Sequence, residues 1–219
     1  MPPARFFYAP LVEAENTLTV PAALREVIHT RGVFCSLYSD RASHFFVTPP
    51  GSRKVDSTRL TQVGRALQTL RVKMVAAYSP QARGRMERNY GTWQGRLPRE
   101  LRLRGIQEPE AANRFLREEY IAEFNRRFTT PAAQKGTAFV RSHRKDLDWI
   151  FSLQHERTVN QNNPVVLDNR VFQIETFRWR NILAGASVIV HEHLDGPVSI
   201  CSGPHRIAEY AAGQLPPQG

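Results

Sequence analysis

Lysine is nearly missing from this chain: of its 30 basic residues, 26 are arginine and four are lysine. Cysteine is scarcer still, limited to Cys35 and Cys201. Two cysteines cannot make a four-ligand zinc pattern, and one long-range disulfide does not suit a reducing compartment. Both read as small buried apolar side chains. No apolar run nears the roughly 18 to 20 residues that a membrane helix needs. The opening Met1-Pro2-Pro3-Ala4-Arg5 lacks the apolar stretch of a secretory signal. There is no glycine-rich phosphate cradle and no nucleophile elbow for Ser-His-Asp catalysis. With 219 residues, 41% hydrophobic and 23% charged, disordered and fibrous classes are excluded too. What remains is a soluble, cytoplasmic protein of one large domain or two small ones.

Acid is also in short supply. Twenty Asp and Glu against 30 Lys and Arg leave a net charge of +10 and a sequence pI near 10.3. Arginine offers a planar fork of donors that matches phosphate oxygens, whereas lysine is a point charge. A polyanion is the expected partner, nucleic acid ahead of a membrane surface. A GC-rich coding sequence would also explain the Arg-to-Lys ratio, but not the net charge. Between residues 71 and 104, nine basic residues meet only two acids, Glu87 and Glu100. Most of the excess charge therefore gathers in one segment.

Along the chain, residues 5–12 read as a strand, with Pro10 suggesting an edge or a bulge. Val20, Ala23, Leu24, Val27 and Ile28 recur at helical spacing, and Gly32 marks the helix end. Residues 33–38 form a short apolar strand that stops at Ser39-Asp40-Arg41. Strand, helix, strand is the grammar of an α/β sheet. Residues 48–56 read as a loop, Leu60, Val63, Leu67 and Leu70 as a helix stripe, and residues 73–77 as a brief strand. Ser79 can cap the next helix, with Pro80 in its first turn and Met86, Tyr90, Trp93 and Leu97 as its apolar stripe. A further amphipathic helix spans 108–128, where Ala112, Leu116, Tyr120, Phe124 and Phe128 are spaced by four.

Residues 129–136 have the composition of a linker. Beyond a short helix at 147–153 the period changes to two, with hairpin turns at Asp168-Asn169 and Asp195-Gly196. Four or five short strands here suggest a small β-barrel. The expected organisation is a core over 1–130, a linker over 131–145, a barrel over 146–212 and a tail over 213–219.

Asp40 stands at the C-terminal end of an expected central strand, where ligands of open α/β sheets collect. Glu87 lies on the helix in the most basic region. Two carboxylates brought together beside a positive surface are what a divalent metal needs for phosphoryl transfer, Mg2+ taking oxygen ligands and leaving room for a substrate phosphate. Arg83, Arg85, Arg88 and Arg96 would hold the DNA backbone that supplies it. The plainer readings are that Asp40 is a turn residue and that Glu87 pairs with Arg83 at i, i+4. His191 and His193 form His-x-His on one strand face, which could ligate zinc, but no third ligand is evident and a polar barrel face explains them. Trp93, Trp149 and Trp179 could stack on bases, although large aromatics usually fill cores.

Two stretches carry a resemblance: LYSDRASHF from Leu37 to Phe45 and YSPQARGRMER from Tyr78 to Arg88, continued to Gln94. They resemble bacterial insertion-sequence transposases of the ISNCY type, members of the DDE transposase and retroviral-integrase superfamily. LDWIFSLQ at 147–154, ERTVN at 156–160 and HLDG at 193–196 are similar to the later part of that family. The resemblance implies an RNase H-like integrase core followed by a small β-barrel. It also implies DNA transposition by phosphoryl transfer with Mg2+ or Mn2+, and transposon ends and target DNA as partners. By the same resemblance Asp40 is the second acid of the DDE triad and Glu87 the third.

The family's first Asp lies well upstream of the second, yet no Asp precedes Asp40 here. Glu13 and Glu15 are poor substitutes. The resemblance therefore implies an N-terminally truncated core that starts at the third strand, lacks the family's helix-turn-helix region, holds metal weakly and is inactive alone, because the missing carboxylate bridges both ions. Three readings follow. One is a DNA-binding transposase fragment, nucleoid-associated in the cytoplasm. Another is an enzyme completed by an acid from another polypeptide or an upstream start. The third is a basic, non-enzymatic module that joins the oligomer of an intact transposase and modulates it. An arginine-rich RNA-binding protein is a more distant fourth.

Overall fold

The computed structural model describes residues 8–78, 80–128, 138–175 and 183–216, with the side chains of 80–90 and 128 outside the description. The chain divides into two units, Met1–His143 and Arg144–Gly219. No helix among the described residues is long and apolar enough to cross a membrane.

Asn16 organises the start of the first unit. Its side-chain oxygen accepts the N–H groups of Leu18 and Thr19 at 2.8 and 2.9 Å, which launches α1 (Thr19–Arg31). Gly32 ends the helix as the sequence suggests, at φ 108°, and donates its N–H to the Ile28 carbonyl at 2.9 Å. Two short strands follow, β1 (Val33–Phe34) and β2 (Ser36–Ser39). Next comes α2 (Gln62–Thr69), capped by the Thr61 hydroxyl, which accepts the Gly64 N–H at 3.0 Å. Val63, Ala66 and Leu67 of α2 are buried, matching the apolar stripe. β3 (Lys73–Ala76) then pairs with β2 in parallel, Ser36 opposite Lys73 and Ser39 opposite Ala76. A parallel pair needs a crossover, and α2 with its loops supplies it.

The strand expected at 5–12 is absent over its described part: residues 8–12 are irregular, and the rest lies outside the described residues. The reason is visible at Leu11. Its N–H donates to the side-chain oxygen of Asn113 at 2.7 Å, and its carbonyl accepts the Asn113 amide at 2.8 Å. A side-chain amide thus takes both backbone groups that a neighbouring strand would use.

The long helix α3 (Pro80–Leu103) carries Pro98 inside it and closes at Gly105, φ 64°. Ile106 N–H reaches the Leu101 carbonyl at 2.9 Å and Gly105 N–H the Arg102 carbonyl at 3.1 Å, the Schellman closure. The chain then returns as α4 (Pro109–Phe115), a π-helical turn (Leu116–Tyr120) and α5 (Ile121–Phe128). Leu97, Phe115, Leu116, Tyr120, Ile121 and Phe124 form the core between these helices, with Trp93, Leu101 and Ile106 against it. An α-helix turns every 3.6 residues, so side chains spaced by four creep around it by about 40° per step. The wider π turn counters that drift and keeps Tyr120 and Phe124 facing α3. A two-residue strand, β4 (Phe139–Val140), completes the unit by pairing antiparallel with β1. The linker composition at 129–136 lies outside the described residues.

The second unit opens with α6 (Leu147–Phe151) and continues as six strands: β5 (Leu153–Thr158), β6 (Pro164–Leu167), β7 (Arg170–Gln173), β8 (Ser187–Glu192), β9 (Val198–Ser202) and β10 (His205–Tyr210). They make a four-stranded antiparallel sheet, β10-β9-β8-β5, and a hairpin, β6-β7. Asp168 and Asn169 turn that hairpin with φ of 49° and 61°, the positive values a two-residue type I′ turn requires. Val165, Leu167, Phe172, Val188, Val190, Val198 and Ile200 point into one shared core. Tyr210 of β10 donates its hydroxyl to the Gln173 carbonyl of β7 and packs its ring 5.1 Å from Phe172. Among the described residues the two sheets are not laddered into a closed barrel. The chain is mixed α/β.

Candidate functional site

Parallel pairing decides where the two strand ends lie. Because Ser39 stands opposite Ala76, β2 and β3 leave the sheet at the same edge. The ladder runs one step further, with the Ala77 N–H donating to the Ser39 carbonyl at 2.8 Å. Ser39 and Ala77 are both buried, and the chains emerge beside each other as Asp40 and Tyr78. Asp40 is exposed. One of its carboxylate oxygens accepts the Ala42 N–H at 3.1 Å, and no ion pair to it exists among the described residues. The neighbouring Arg41 is directed elsewhere: it donates to the Arg53 carbonyl at 2.7 Å and sits 5.4 Å from the Tyr78 ring.

From Tyr78 the chain enters α3, so Glu87 lies about two helical turns in from that edge, on a helix rising 1.5 Å per residue. The side chains of Glu87, Arg83, Arg85 and Arg88 lie outside the description; their backbone positions on α3 are what the structure gives. Arg96 is described and exposed on the same helix. Glu15 approaches the Asp40 loop indirectly, through an ion-pair contact of 3.0 Å with His44.

The oxygen chemistry of the exposed Asp40 carboxylate suits a hard divalent cation. Among the described residues, no group of three or more His, Cys, Asp and Glu side chains gathers as a metal site. His191 and His193 are occupied otherwise. Their rings stack on each other, centroids 6.2 Å apart, and Trp149 packs edge-on against both at 5.0 and 4.8 Å. The Ser152 hydroxyl is 2.9 Å from Nδ1 of His191, and that of Ser199 is 3.0 Å from Nε2 of His193. Trp93 packs edge-on to Tyr120 at 5.4 Å and against Phe124 at 5.0 Å, a core role. Trp179 lies outside the described residues.

The chain is 29% identical over 191 residues to the y4bF protein of Sinorhizobium fredii, whose name describes it as a transposase; the match covers 86% of this chain and 41% of that one. It is 29% identical over 150 residues to the transposase for insertion sequence IS1202 of Streptococcus pneumoniae, covering 68% of this chain and 32% of that one. The chain is thus similar to two transposases, one of them from an insertion sequence. It spans about two fifths and one third of the length of these two curated relatives. No family model matches it.

Helices distant in sequence build one more feature of the first unit. A cleft of about 420 Å3 opens between α3 and α5, lined by Gly95, Arg96, Arg99, Glu100, Tyr120 and Arg127 among others. The even spacing of four from Ala112 to Phe124 was the available clue, because only a widened turn holds such a stripe on one face.

Proposed function

We propose that this chain is the DNA-handling part of an insertion-sequence transposase of the DDE and integrase type, an RNase H-like core over 1–130 and a small β-barrel over 146–212. The supporting observation is the shared strand edge, from which Asp40 and the helix bearing Glu87 both depart. The same helix carries Arg83, Arg85, Arg88 and Arg96 as cations for the phosphate backbone of transposon ends and target DNA. Asp40 and Glu87 would hold Mg2+ or Mn2+ through carboxylate oxygens. Such an ion, when bound, polarises the scissile phosphodiester and activates the attacking hydroxyl. No Asp precedes Asp40 in this sequence, so strand transfer by this chain alone is expected to be absent.

Fluorescence anisotropy with a random duplex tests the DNA reading. If four arginines contact phosphates, log affinity should fall against log salt with a slope of roughly −3 to −4. Binding that ignores salt overturns it. A strand-transfer assay with Mg2+ or Mn2+ tests the catalytic part: activity from this chain alone would overturn the expected dependence on a further acid. A non-enzymatic DNA-binding module acting on an intact transposase is the second reading. It needs only the basic residues of α3 and no metal.

A further inference from the structure

We propose that the cleft between α3 and α5 seats a backbone phosphate of the bound DNA, with Arg99 as its cation and the Tyr120 hydroxyl as a neutral donor; this rests on the DNA-binding reading above. Tyr120 is only 8% exposed, and its hydroxyl has no hydrogen-bond partner among the described residues. A buried, unpaired hydroxyl is costly, and such groups in native proteins generally await a ligand or a water. Burial, followed by the nearby Glu100 carboxylate, raises the Tyr120 pKa, so the phenol keeps its proton and has one to donate. An anion's oxygen is the partner it lacks.

The walls supply the charge. Arg96, Arg99 and Arg127 line the cleft together with Glu100 and Glu123. Both carboxylates are already engaged, Glu100 with Arg104 at 2.5 Å and Glu123 with Arg127. Arg99 is exposed and makes no ion pair among the described residues. Glu100 and Glu123 therefore repel an incoming anion less than bare acids would, and the balance at the mouth is positive. Gly95 adds room: a side chain there would meet nothing within 4 Å, so a ligand can approach the α3 backbone. Leu103 and Phe124 give the cleft an apolar wall for the sugar beside the phosphate. A volume of about 420 Å3 is in the range of small-ligand clefts and admits one nucleotide unit of a strand. The π-helical turn that ends at Tyr120 fits this use, since such turns are frequent at functional sites.

Tyr120→Phe in the full chain is the direct test, because it removes one oxygen and no charge. Duplex binding by fluorescence anisotropy should weaken about 10- to 100-fold, as expected for a lost hydrogen bond to a charged group. The melting temperature should stay level or rise, since an unpaired hydroxyl is gone. Arg99→Gln should weaken binding about 5-fold and flatten the salt slope by about one unit, while Arg102→Gln, the same charge change outside the cleft, should cost less than about twofold. If the wild type binds DNA with the expected salt slope and both cleft variants match it, the cleft proposal falls and the DNA reading stands. If the wild type does not bind DNA, both fall. A free mononucleotide is the other source of phosphate: loss of labelled AMP binding in Tyr120→Phe with DNA binding intact would also overturn the proposal.

Discussion

The carbonyl of Ser39 accepts the N–H of Ala77 at 2.8 Å, one step beyond the last paired residues of β2 and β3. That bond ties together the points where the chain leaves the two strands. Asp40 follows directly, and α3 begins three residues after Ala77. A site drawn from Asp40 and Glu87 thus depends on parallel pairing of two four-residue strands, held in place by the buried face of α2.

Gly32 is the position where a single methyl does most harm to the first unit. Its φ of 108° suits glycine, and a Cβ there would lie 2.3 Å from the Val140 carbonyl oxygen. Gly32→Ala must therefore move β4 as well as strain the backbone. The expected cost is about 2 kcal/mol or more, from left-handed strain plus the displaced contact. Urea denaturation should show it, and an unchanged midpoint would mean that β1 and β4 do not pair as described.

Ser152 in the second unit is fully buried, its hydroxyl donating to the Trp149 carbonyl at 2.7 Å and lying 2.9 Å from Nδ1 of buried His191. Ser152→Ala removes both contacts without a change of shape. Stability should fall by about 1 to 3 kcal/mol, the usual cost of stripping a buried polar partner. Chemical denaturation reads this, and a neutral result would contradict the assigned network.

Asp56 accepts hydrogen bonds from the Thr58 hydroxyl at 2.6 Å and the Thr58 N–H at 2.8 Å. These bonds, the hydroxyl's first, hold its carboxyl below the ordinary value of 3.8. A carboxylate depressed in the folded state stabilises above its unfolded pKa and loses that contribution as pH falls through the lower folded value. The Thr58 amide resonance should therefore titrate with a midpoint below 3.8, and a midpoint at or above it would contradict the turn geometry.

Legibility from sequence followed burial. Helices with an apolar stripe, α1 and α2, and the central strands β8 and β9 with period-two alternation were readable, because buried faces must be apolar. The edge strands were not. β5 reads Leu-Gln-His-Glu-Arg-Thr and β10 His-Arg-Ile-Ala-Glu-Tyr, and both lie at the borders of the four-stranded sheet. Edges tolerate charge, and charge hides the period. The strand expected at 5–12 failed for a different reason, since a distant amide, Asn113, competes for Leu11. At the site, strand-end logic located Asp40, but the cleft under Tyr120 arises from two helices far apart in sequence, and the spacing of four from Ala112 to Phe124 hints at the π turn without marking the cleft.

The most direct measurement is paramagnetic broadening by Mn2+ in the NMR spectrum of the chain. Amides around Asp40 and around Glu87 should broaden together at the same Mn2+ concentration, and Asp40→Asn or Glu87→Gln should relieve both sets. Broadening at one of the two alone, or at neither, would contradict a shared carboxylate site at the β2–β3 edge.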